Sequence, residues 1–147
     1  MEIFWILLAL GVAVLVVIPI ALQTTYYPFY RDNLIFVFVF ITLIRFILFT
    51  SSSMLALHTY VKLFFILISA SAVFILIDQF YSFRSYMDNY GSVPFLGHLP
   101  DKEQMKMDSY VNNEMVFFGV GSIALAILFP FYLVRSIWMW RNKGRHF

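Results

Sequence analysis

Residues 115–134 read MVFFGVGSIALAILFPFYLV, twenty positions without one charge. Residues 3–22, IFWILLALGVAVLVVIPIAL, repeat the pattern. About 20 apolar residues carry a helix across the hydrocarbon core of a bilayer. A helix buried in a water-soluble protein keeps a polar stripe, and these two keep almost none. Working outward, two further apolar runs stand between them, Leu34–Ile44 continuing past Arg45 to Phe49, and Leu63–Ile77. Their length favours helix over strand. A spanning strand needs about 9–11 residues of alternating polarity, and no alternation is present.

The fold class expected is therefore all-α and membrane-integral, a single domain over residues 1–147. Four transmembrane helices in an up-down bundle are expected near 3–22, 34–56, 61–80 and 115–135. A long ordered loop, 81–114, joins the third span to the fourth. Pro94, Gly97 and Pro100 make its first half irregular. Asp101 and Gln104 resemble a capping box that opens a short helix over 102–111. Pro28 breaks the chain before the second span, which Asp32 or Asn33 would cap. Tyr26, Tyr27 and Tyr30, and later Trp138 and Trp140, are rings of the kind that settle at headgroup level.

Composition narrows the function classes. The chain is 62% hydrophobic and 12% charged, about half the charge of an ordinary soluble domain, so no sizeable water-soluble domain is expected. A net charge of +2 gives no footprint for nucleic acid. The absence of cysteine removes disulfides, thiol redox chemistry and cysteine–metal sites. The first run lacks the Lys or Arg of a signal-peptide n-region and reads as a retained span. Arg135, Arg141, Lys143 and Arg145 cluster after the last run. Positive-inside counting places both termini in the cytoplasm and loop 81–114 on the opposite side.

Few residues offer chemistry. Arg45, about eleven residues into the second span, would sit roughly 16 Å deep at 1.5 Å per residue. A guanidinium there needs a partner. Asp78, in the last turns of span three, is the internal candidate, though about 11 Å away along the axis by the same rise. His58 could be an axial haem ligand, but one histidine needs a second from another chain. The acidic pairs Asp101/Glu103 and Asp108/Glu114 read as solvated. Small residues mark helix-packing stripes: Ala9 and Ala13, Ser69 and Ala72, and Gly119, Ser122 and Ala126. No catalytic residue, metal site or cofactor requirement is visible, and bound lipid is expected.

The function this supports is a non-catalytic small subunit of a larger membrane complex, partnered by other membrane-protein subunits and by lipids. One alternative is a homo-oligomeric transporter or channel using Arg45. Another is an electron-transfer anchor with haem b at His58 or a quinone pocket near Arg45.

Overall fold

The structure is a computed structural model that describes residues 2–24, 26–49 and 58–143. It is all-helical, with no strand among the described residues. Helix α1 spans Glu2–Gln23, α2 Tyr30–Leu48, α3 Thr59–Tyr90, α4 Val93–Leu96 and α5 Asp101–Lys143. Three of these, α1, α3 and α5, are long and apolar enough to cross a membrane. Helix α2 has 19 residues and includes Arg31, Asp32 and Arg45. Residues 50–56, expected to complete span two, lie outside the described residues.

Packing follows the side-chain spacing. Helix α1 buries Ala9, Ala13, Val17 and Ile20 on a stripe whose main neighbour is α2. Helix α5 lies against both α2 and α3, which touch each other only sparsely. The buried residues of α3 are Lys62, Ser69, Leu76 and Phe83, a strict seven-residue repeat that gives one seam along the helix. On α5, Gly119 is buried where a β-carbon would come within 2.6 Å of the Phe80 ring. The predicted small-residue stripe of α5 thus serves close approach within the chain.

The expected loop 81–114 is where the fold departs most from the sequence reading. Helix α3 continues ten residues past the expected end of its span, to Tyr90. Gly91 then stops it at φ 64°, backbone that a side chain disfavours. The four-residue α4 follows, and α5 is already helical from Asp101. The cause is that the core continues past the apolar runs, which hydropathy does not register. Phe83, Phe95, Leu96 and Val111 are fully or almost fully buried, with Tyr27 and Phe29 beside them. Phe29 packs edge-on against Phe83 at 5.4 Å and Tyr86 at 5.2 Å. Tyr27 meets Phe95 at 5.2 Å. We call this end of the molecule the head. At 1.5 Å per residue α5 is about 64 Å long, twice the hydrocarbon thickness of about 30 Å.

The start of α2 also differs. It begins at Tyr30, with no side-chain cap, so neither Asp32 nor Asn33 caps it. Both lie inside the first turn.

Candidate functional site

Among the described residues three arrangements stand out: a buried ion pair, a polar cluster in the head, and an apolar groove with a buried lysine one turn beyond its end.

Arg45 is 4% exposed and its Nη1 donates to the Glu2 carboxylate. Helix α2 runs back along α1, so the end of one helix meets the start of the other. The guanidinium also faces the Trp5 and Phe46 rings, at 5.3 and 5.5 Å from their centroids, a cation–π setting. Asp78, the partner considered from the sequence, is exposed on α3 and not joined to it. The expected depth of Arg45 changes too. It stands three residues before the end of α2, where its carbonyl accepts from the Phe49 N–H. A cation in a last helical turn also opposes the partial negative charge there. The geometry supports a structural pair.

The head holds the second arrangement. Asn33 is fully buried and its Nδ2 donates to Glu114 Oε1. Glu114, expected in water, is 8% exposed. Nearby, burial, and after it the charge of Glu114, push the Tyr27 phenol above the ordinary tyrosine range, while Asn33 acts the other way. Tyr110 reaches from α5 to the Val16 carbonyl at 2.6 Å. The exposed His98 ring bonds the Gln23 carbonyl at 2.7 Å. These contacts tie the head to α1 and α2. Sequence reasoning missed Asn33 and Glu114. Their 81-residue separation leaves no local signal, and a carboxylate flanked by Asn113 and Met115 reads as a span boundary.

The third arrangement follows from α2 and α3 barely touching. Between them runs an apolar groove of about 290 Å³, floored by α5 at Ala126 and Phe129. Thr42 and Ser69 are the polar residues along it, and the Ser69 hydroxyl is occupied by the Ile66 carbonyl at 2.7 Å. Leu76, Ser69 and Phe129 are buried, while Ile68 and Ile75 stand 44% and 57% exposed. The groove is therefore open sideways at its rim. Ser69 and Ala72, predicted to pack another helix, line it. At one end Phe46, Phe65 and Phe129 close a triangle with centroids 6.1–6.2 Å apart. One turn beyond Phe65, Lys62 is 6% exposed and its Nζ donates to Ser136 Oγ at 2.9 Å.

The remaining predicted positions are dispersed. His58 is exposed immediately before α3, and His146 lies outside the described residues. Among the described residues no group of three His, Asp or Glu side chains converges to hold a metal ion. Gly119, Ser122 and Ala126 are buried in the α5 interfaces, and Ala9 and Ala13 in that of α1. No family model matches the chain, and no curated protein or solved structure matches it either.

Proposed function

We propose that this chain is a non-catalytic subunit of a larger membrane assembly, and that its head is the docking element. The observation that carries the reading is the head itself. A chain that only crossed the bilayer would join its apolar runs by short turns. Here about 30 residues beyond those runs are folded, and their buried aromatic side chains extend the core of the bundle past the apolar runs. That head also presents apolar side chains to its surroundings: Tyr90, Val93 and Met105 are 66%, 64% and 72% exposed. Contiguous exposed apolar surface marks protein-contact sites, and Asp88, Asp101, Lys102 and Lys106 lie close to these residues in the sequence.

In this proposal α2 is a fourth crossing. Its 19 residues reach about 28 Å, close to the hydrocarbon thickness. Its charges are accommodated, Asp32 beside Arg31 at 3.6 Å and Arg45 on Glu2. Both termini lie on the cytoplasmic side, with the head opposite, because the basic residues collect at the α5 C-terminus.

The test is site-specific photo-crosslinking in the native membrane. A crosslinker at Met105 is expected to capture one defined partner band. The same group at Leu7, 62% exposed on α1, is expected to give no such band. Equal, diffuse labelling from both positions, with the protein purifying as an unaccompanied monomer, would overturn the subunit reading.

A further inference from the structure

We infer that the groove between α2 and α3 is a binding site for one anionic phospholipid, with its phosphate on Lys62 and Ser136 and an acyl chain lying along the groove toward Leu76. The described partner of the buried Lys62 ammonium is a neutral hydroxyl. An ammonium has three donors, and a buried cation without an anion is costly. The chain offers it no side-chain carboxylate. Of the eight acidic residues, Glu2 alone falls at this end, and Arg45 holds it. The other seven, Asp32, Asp78, Asp88, Asp101, Glu103, Asp108 and Glu114, fall toward the head. Asp78 is sixteen residues along α3 from Lys62, about 24 Å at the helical rise. Arg135 flanks Ser136, and Arg141 and Lys143 follow on the same helix, so this end attracts anions as a whole. A juxtamembrane cluster of basic residues attracts anionic lipid.

The groove supplies the other half. From Phe65 to Leu76 its α3 wall is twelve residues, eleven helical steps, and from Ile35 to Phe46 its α2 wall is the same. Each is about 16 Å long, against about 15 Å for one leaflet's share of the hydrocarbon core. Its lining offers almost nothing for a polar ligand to bond. Its exposed rim lets a chain enter from the bilayer without passing through water. A partner helix would instead need the full thickness, whereas the groove reaches Phe65, one turn from Lys62.

The experiment titrates delipidated full-length protein, in neutral detergent, with dioleoyl phosphatidylglycerol or dioleoyl phosphatidylcholine. Bound lipids are counted by native mass spectrometry. The wild type is expected to hold one phosphatidylglycerol with at least tenfold preference over phosphatidylcholine. Lys62→Gln is expected to bring that ratio near one, and Lys62→Arg to retain it. Ala72→Trp, which fills the groove, is expected to weaken both lipids about tenfold. Millimolar glycerol 3-phosphate is expected not to displace the lipid, because the chain contributes. On unaltered protein, phosphatidylglycerol bearing a diazirine in its acyl chain is expected to label the peptide holding Ser69 and Ala72. Equal wild-type affinity for the two lipids, displacement by glycerol 3-phosphate, or labelling confined to the outer face of α1 would each overturn the proposal.

Discussion

Glu2→Ala is expected to lower stability by about 3 kcal/mol, the lower end of the range for removing one partner of a buried ion pair. The value sits at that end because the Glu2 side chain is 35% exposed, so water screens part of the interaction. What remains after the substitution is the costly part. Arg45 stays 4% exposed, and its Nε and Nη2 have no hydrogen-bond acceptor among the described residues. In thermal unfolding in detergent the midpoint is expected to fall by roughly 10 °C, using about 3–4 °C per kcal/mol for a chain of this size. The double variant Glu2→Leu/Arg45→Met is expected to recover most of the loss, since an apolar pair of similar volume replaces a buried ionic one at little cost. A single variant with an unchanged midpoint would mean that Arg45 is held by something other than Glu2.

Phe83→Ala is expected to cost about 3–5 kcal/mol, the range for truncating a fully buried phenylalanine. Phe83 is 0% exposed and lies edge-on to Phe29. Removing its ring leaves a void at the centre of the head, where α3, α5 and the turn before α2 converge. The loss is expected to be local as well as global. Limited proteolysis should begin to cut between residues 81 and 100 while the apolar helices stay protected. Ile75→Ala, on the exposed rim of the groove, is the control and is expected to shift the midpoint by little. If the two variants behaved alike, Phe83 would not be what holds the head together.

These two sites also show what was legible in the sequence and what was not. The apolar runs announce themselves because lipid-facing helices need no alternation, so composition alone locates α1, α3 and α5. The head is hidden by the same measure. Arg84 and Asp88 dilute hydropathy, and Pro94, Gly97 and Pro100 suggest irregular chain throughout. The signal that was present is spacing: Phe80, Phe83, Met87 and Tyr90 recur at three or four residues, which continues α3 beyond its apolar run. Arg45 reads as needing company, but depth alone points to a neighbouring span for the partner. The return of α2 along α1 instead brings Glu2 to it. Asp32 or Asn33 reads as a cap because Asx residues favour helix starts, yet α2 opens at Tyr30 and turns the Asn33 side chain inward to Glu114. The groove could not be read at all. It exists because α5 separates α2 from α3, a fact of tertiary packing that leaves Ser69 and Ala72 looking like any other small-residue patch.

The absence of native cysteine makes each introduced thiol a unique reporter of side. Single cysteines at Tyr26, His58, Met105 and Asn142 would be labelled with a membrane-impermeant maleimide in sealed vesicles of one orientation. The four-span account predicts that Tyr26→Cys and Met105→Cys react from one face, and His58→Cys and Asn142→Cys from the other. Labelling of His58→Cys from the same face as Tyr26→Cys would show that α2 does not cross, and would contradict the account.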